Sequence, residues 1–315
     1  MDLSLFFAGT AGSVPTARRG LPALLLRAGG ERILFDCGEG TQQQLLRSVG
    51  LPELDAVYLT HYHLDHWLGL PGMLKTFDLR ARERPLAIHG PPGLRALFTT
   101  LRAVIGRTGY PLELIELEPY EEIRYGSFTI SPFGVNHRIE AFGYAFVEDD
   151  RPGRFDVEAA RRLGVTEGPD FGRLQRGETV DGVQPEQVMG ESRGGRRIVI
   201  SGDTSPTQAV EVAADRADLL VHEATFLEEE RARARETHHS TARQAAEIAR
   251  DAGVRMLALT HLSTRYFPRA IRDEAREVFP GTVVPRDFDA IDVPFPERGE
   301  PALIKPEREP EPAGA

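Results

Sequence analysis

Of all the stretches in this chain, the heptapeptide Thr60-His61-Tyr62-His63-Leu64-Asp65-His66 most restricts what it can fold into. Three imidazoles and a carboxylate fall within six residues, directly after the apolar run Leu54–Leu59. A core strand does not bury that many polar groups without partners, since each unpaired one costs free energy. The composition instead suits metal. Where a strand ends and turns, alternate side chains diverge, so His61 and His63 can reach one ion while Asp65 and His66 reach a neighbour. Imidazole nitrogen with carboxylate oxygen suits Zn²⁺, with Mn²⁺ or Fe²⁺ as alternatives.

The rest of the chain offers more ligands of the same kind. Apolar runs end in turn at His61, His137, Asp203, Glu223 and His261. Strands that each place a metal-capable residue just past their C-terminal end build one shared site along one sheet edge, as layered α/β proteins do. The pattern predicts strands over 2–8, 21–26, 32–35, 54–59, 85–88, 112–117, 128–135, 197–200, 219–221 and 256–259. It predicts helices over 41–49, 68–80, 93–105, 157–163 and 227–235. Thr241 and Gln244 are spaced as a capping box opening a further helix, with Ala242, Ala245, Ala246 and Ala249 on one face and Gly253 at its end. His89 reads as a structural turn residue.

The candidate ligands sort into His61, His63 and His137 for one ion and Asp65, His66 and His261 for the other, with Asp203 between them. Each ion then keeps an open position, as a catalytic site requires. Two ions roughly 3.5–4 Å apart can activate a water and clamp both oxygens of an in-line displacement. A structural zinc site would usually be closed by cysteines, and Cys37 is the only cysteine present.

Composition sets bounds on the setting. One cysteine excludes an internal disulfide and fits a reducing compartment; Cys37 reads as a small buried apolar residue. The N-terminus lacks a basic start and a long apolar centre, and no stretch approaches the ~20 apolar residues of a membrane span. The expectation is a cytoplasmic protein. A net charge of −10 argues against general nucleic-acid affinity. Residues 149–195 differ in character and read as an insertion projecting from a domain over 1–296. Within it, residues 151–177 carry six arginines against four carboxylates. The proline- and glutamate-rich tail over 297–315 is expected to be disordered.

The H-x-H-x-D-H stretch, followed by an isolated His137, Gly202-Asp203 and Thr260-His261, resembles the metallo-β-lactamase superfamily. That resemblance covers roughly residues 2–290 and implies an α/β fold of four layers, an αβ/βα sandwich with a dinuclear site at one edge. A narrower resemblance is to the ribonuclease Z family, which removes 3′ trailers from precursor tRNA. It rests on Gly9-Thr10 with Pro15, Phe35-Asp36-Cys37-Gly38-Glu39-Gly40-Thr41-Gln42, Ser201-Gly202-Asp203-Thr204, His222-Glu223-Ala224-Thr225 and His239-Ser240-Thr241.

The resemblance implies two Zn²⁺ per subunit and a water oriented by Asp65 that attacks the phosphorus after the discriminator nucleotide. His239 would protonate the leaving 3′-oxygen and Glu223 would hold the imidazole. It implies that 149–195 is a tRNA-binding arm whose Gly168-Pro169 element, with Arg173 and Arg176, meets substrate, in a homodimer where one subunit's arm serves the other's site. The family's loop after the first strand often reads Pro-x-Lys-x-Arg-Asn; here it is Pro15-Thr16-Ala17-Arg18-Arg19-Gly20, which leaves Arg18 and Arg19 to meet the cleaved end. Two other readings of the same ligands stay open: a dinuclear hydrolase acting on small esters or phosphodiesters, and a non-catalytic RNA-binding relative.

Overall fold

The structure is a computed structural model that describes residues 1–306. Period-two alternation decides how its first strand is placed. Along β1 (Leu3–Gly9), Leu3, Leu5 and Phe7 face one apolar cluster while Phe6 and Ala8 face another. A strand apolar on both faces must lie inside a layered structure.

One sheet has eight strands. From edge to edge they are β15 (Ala302–Ile304), β14 (Ala290–Asp292), β1, β2 (Ala23–Ala28), β3 (Glu31–Phe35), β4 (Ala56–Tyr58), β5 (Leu86–Gly90) and β6 (Leu112–Glu116). The other has seven: β13 (Thr282–Val283), β12 (Met256–Thr260), β11 (Leu219–Glu223), β10 (Arg197–Ile200), β9 (Phe142–Glu148), β8 (Phe128–Gly134) and β7 (Ile123–Tyr125). The helices are α1 (Thr41–Leu46), α2 (Leu64–Trp67), α3 (Leu70–Leu79), α4 (Leu94–Ile105), α5 (Val157–Arg162), α6 (Pro169–Gln175), α7 (Gln208–Ala213), α8 (Arg231–Thr237), α9 (Ala242–Asp251) and α10 (Pro268–Val278).

Three apolar clusters define four layers. Leu5, Phe7, Ile33, Phe35 and Tyr58 of the first sheet meet Tyr144, Phe146, Ile198, Ile200 and Val221 of the second. Phe6, Leu25, Leu34 and Val57 turn outward onto Leu45 of α1, Met73 and Phe77 of α3 and Phe98 of α4. Val199, Leu220 and Leu257 turn outward onto Val210 of α7, the alanine face of α9 and Ile271 of α10. The small alanines let α9 lie close on its sheet. Its capping box forms as expected: Thr241 Oγ1 accepts from Gln244 N at 3.1 Å, and Gln244 Oε1 accepts from Thr241 N at 3.0 Å.

The structure changes several expectations. His89 is not in a turn but inside β5, 2% exposed and stacked on Tyr58 with ring centroids 4.3 Å apart. Parallel pairing of Tyr58 with His89 puts the two rings side by side. The tail is not disordered from residue 297: β15 pairs antiparallel with β14, and Glu297 accepts from Arg151 at 2.7 Å. Prolines masked that strand in the sequence, but an edge strand tolerates flanking proline. Residues 307–315 lie outside the described residues.

The 149–195 segment holds more apolar packing than its sequence suggested. Ala160, Val165, Phe171, Leu174, Val180, Val183 and Val188 form a cluster of their own. Backbone pairing of Arg151 with Arg193 and of Phe155 with Met189 closes its base. Several of its arginines are engaged internally: Arg161 with Glu158 and Glu167, Arg173 with Asp170 and Glu178, and Arg176 with Glu178.

Candidate metal centre and catalytic site

Parallel pairing sets the site. β10, β11 and β12 run side by side, with Ile200 opposite Val221 and Glu223 opposite Thr260. Asp203, Glu223 and His261 therefore reach the same edge. In the other sheet β3 and β4 run parallel, so Asp36, just past β3, lies beside Thr60, just past β4. α2 begins at Leu64 and carries Asp65 and His66 inward over its single turn.

All seven expected ligands converge. Ligand atoms of His61, His63 and His137 lie within 4.8 Å of one another, as do those of Asp65, His66 and His261. His63 Nδ1 is 3.0 Å from His61 Nε2 and 3.1 Å from His137 Nε2. Asp203 Oδ2 sits centrally, 3.2 Å from His261 Nε2, 3.4 Å from His66 Nε2 and 3.9 Å from His61 Nε2. Asp65 Oδ2 lies 3.4 Å from His261 Nε2 and 3.6 Å from His66 Nε2, and accepts from Ser13 N at 2.9 Å.

The surrounding hydrogen bonds fix the tautomers. Thr60 Oγ1 donates to Asp36 Oδ2 at 2.9 Å, so it accepts from His61 Nδ1 at 3.0 Å. Thr225 Oγ1 donates to Glu223 Oε2 at 2.6 Å, so it accepts from His261 Nδ1 at 2.9 Å. His66 Nδ1 donates to Asp36 Oδ2 at 2.8 Å, and His137 Nδ1 to the His238 carbonyl at 3.1 Å. Each of these four imidazoles thus aims a bare Nε2 lone pair at the same small volume. His66 Nε2 is buried with no hydrogen-bond partner. Converging lone pairs and carboxylates at these separations repel one another unless a cation lies between them. The donor set fits a pair of divalent ions with nitrogen and oxygen ligands.

Electrostatics agree with that reading. Burial would push the Asp203 carboxyl up, but the His261 and His66 imidazoles hold it well below the usual carboxylate range. Burial likewise opposes charge on His66, yet Asp203 and Asp36 raise its pKa well above the ordinary histidine value. A proton there stands where a metal ion would. Backbone strain gathers at the same place: Asp36 and His261 adopt left-handed φ of 57° and 56°. At Gly12 an added Cβ would fall 2.5 Å from His261 Nδ1, so the loop approaches the ligand as only glycine can.

Beside the cluster stands a dyad. Glu223 Oε1 accepts from His239 Nδ1 at 2.7 Å, and its other oxygen accepts from Thr225 N at 3.2 Å. His239 Nδ1 is 3.9 Å from Asp203 Oδ2, which brings the dyad against the candidate metal ligands. Burial lowers the pKa of His239, but the charge and hydrogen bond of Glu223 outweigh it and raise it to about 9.

The expected substrate residues divide. Arg18 is exposed, whereas Arg19 turns inward, donating to Thr10 Oγ1 and to the Pro285 carbonyl. Its guanidinium ties the loop to the body, while the residue also lines the cleft beside Arg18. Gly168 has φ 127° and Pro169 opens α6, both on the insertion, where Arg173 and Arg176 are held by Glu178. Sequence reasoning missed Asp36, Thr60 and Thr225, which orient the ligands. A signal existed for Asp36, a carboxylate just past the apolar run 32–35.

Residues 20–261 match the sequence profile of the metallo-β-lactamase superfamily. The chain is 47% identical to ribonuclease Z of Myxococcus xanthus over 304 residues, spanning 94% of this chain and 99% of that protein. It is 48% identical to ribonuclease Z of Gemmatimonas aurantiaca over 310 residues, spanning 94% and 98%. Among solved structures, the short form of human tRNase Z superposes with a TM-score of 0.67 at 28% identity, over 92% of this chain and 99% of that one. The fold also matches the metallo-β-lactamase fold protein YhfI of Bacillus subtilis, with a TM-score of 0.70 at 22% identity over 93% and 100%. No helix among the described residues is long and apolar enough to cross a membrane. The chain belongs to the ribonuclease Z family of the metallo-β-lactamase superfamily, a family of metal-dependent endoribonucleases.

Proposed function

We propose that this protein is a zinc-dependent endoribonuclease that removes the 3′ trailer from precursor tRNA after the discriminator nucleotide. The products are tRNA with a 3′-hydroxyl and a trailer with a 5′-phosphate. The observation that carries this reading is the Glu223–His239 pair at 2.7 Å, placed against a complete set of inward-facing ligands. Metal ligands alone would serve any hydrolase of this fold. A histidine held by a carboxylate as a proton donor beside them serves a poor alkoxide leaving group such as a ribose 3′-oxygen.

His61, His63 and His137 would hold one ion, Asp65, His66 and His261 the other, and Asp203 both. When bound, such a pair supplies Lewis acidity and a water acidic enough to attack near neutral pH. Asp65, fixed by Ser13 N, would orient the attacking water. The Glu223 carboxylate fixes the tautomer of His239, leaving Nε2 to deliver its proton to the departing 3′-oxygen. The segment 149–195 is read as a tRNA-binding arm and the assembly as a homodimer; family membership and the arm's separate apolar cluster support this.

The test is cleavage of one 3′-extended precursor tRNA, with and without chelator, mapped to the nucleotide. A chelator-sensitive cut after the discriminator is expected. Hydrolysis of bis(p-nitrophenyl) phosphate without any cut in the tRNA would remove the substrate and keep a small-molecule hydrolase.

A further inference from the structure

Phe267 occupies a position that neither packing nor helix chemistry explains. It is 85% exposed and stands at the N-cap of α10, where it supplies no side-chain cap to the helix. Serine, threonine, aspartate or asparagine would satisfy a backbone N–H there. A large aromatic that neither caps nor packs breaks a local rule, and such breaks gather at functional sites.

Its surroundings say what it faces. Phe267 lines a pocket of about 500 Å³ with Thr16, Arg18, Leu262, Tyr266 and Arg286. Arg18 and Arg286 form no ion pair within 4.0 Å among the described residues, so neither guanidinium on this rim is tied to a carboxylate. A second cleft, lined by Gly12, Ser13, Thr225, Arg233 and His239, shares Ser263 and Thr264 with it. The floor between them follows directly on the ligand His261 and is fixed by Gly12 N donating to the Leu262 carbonyl at 3.0 Å. The two clefts thus adjoin at Ser263 and Thr264, one bordered by His239 and the other by the exposed ring.

We infer that Phe267 is a stacking platform for an unpaired base of the RNA trailer, with Arg18 and Arg286 meeting the adjoining phosphate. The inference rests on the tRNA-trailer reading given above. His239 serves the leaving 3′-oxygen, so the tRNA end lies on its side of the scissile phosphate. The trailer continues across Ser263 and Thr264 to the ring. An aromatic face with a cationic rim binds single-stranded nucleic acid with little sequence preference, which suits trailers of varied sequence.

The test compares the zinc-loaded wild type with Phe267→Ala and Phe267→Trp on a 3′-extended precursor tRNA, on the same RNA with abasic trailer nucleotides, and on bis(p-nitrophenyl) phosphate. Phe267→Ala should raise KM for the intact precursor about tenfold, the loss of one stacked base. Phe267→Trp should retain wild-type KM, and hydrolysis of the small phosphodiester should not change. Abasic substitution at the stacked position should impose the same loss on the wild type and none on Phe267→Ala. Wild-type KM for Phe267→Ala, or equal abasic penalties in both proteins, would overturn the subsite alone. A wild type that cuts no precursor tRNA would remove the substrate reading and the subsite with it.

Discussion

Asp36 is the residue through which to test whether the inward lone pairs constitute a metal site. Its carboxylate accepts from His66 Nδ1 at 2.8 Å, from Thr60 N at 2.8 Å and from Thr60 Oγ1 at 2.9 Å. Through Thr60 it also governs the tautomer of His61, so one carboxylate orients a proposed ligand of each ion. Asp36→Asn keeps the side-chain shape and an acceptor for Thr60, and asparagine tolerates the left-handed φ of 57°. It removes the charge that makes His66 and His61 more basic toward metal. Loss of such an outer partner typically weakens metal affinity by about 10–100-fold, or about 1.4–2.7 kcal/mol. Zinc competition against a chromogenic chelator measures this directly, and phosphodiester hydrolysis at limiting zinc should fall and recover with excess zinc. Asp36→Ala should do more, because it strands the buried Thr60 N–H at a cost of about 1–3 kcal/mol and strains the backbone. Unchanged zinc affinity in Asp36→Asn would refute the argument that these hydrogen bonds prepare ligands.

Further expectations concern other parts of the molecule. Glu223→Gln should lower the pKa of His239 from about 9, moving the alkaline loss of activity to lower pH, since a general acid works only below its pKa; an unmoved limb in the pH–kcat profile would exclude His239 as the acid. Burial holds His89 at about 4, so an unfolded chain binds a proton there that the folded one refuses. That contribution to stability is full above the ordinary value of 6.5 and lost as pH falls toward 4, about 3 kcal/mol in all. His89→Phe should narrow the gap between urea midpoints at pH 7 and pH 4.5, and an unchanged gap would contradict this. Excision of 154–190, which spares the Arg151–Arg193 pairing at the base, should cripple precursor tRNA cleavage but spare bis(p-nitrophenyl) phosphate. Mixing that variant with Asp65→Ala should restore cleavage if one subunit's arm serves the other's site; no restoration argues against the dimer reading.

Much of the centre was legible in the chain because its candidate ligands sit at strand ends, where a run of apolar residues stops at a residue that water or metal must satisfy. His61, His137, Asp203 and His261 announce themselves that way, and H-x-H-x-D-H is dense enough to need no partner in sequence. The capping box at Thr241 is likewise a local matter, decided within four residues. What sequence alone determined, then, was chemistry carried by neighbours along the backbone and the period-two alternation that demands two buried faces. Only the tertiary structure decided which distant groups meet. Asp36 and Thr60 become partners through parallel pairing of β3 and β4, and Thr225 joins Glu223 to His261 across two strands. Arg19 spends its charge on Pro285, 266 positions away. His89 enters the core because register lays it on Tyr58, and β15 gains its place from a pairing the prolines around it conceal. Such contacts depend on sheet register and layer packing, which involve the whole chain at once, and no short window of sequence carries them.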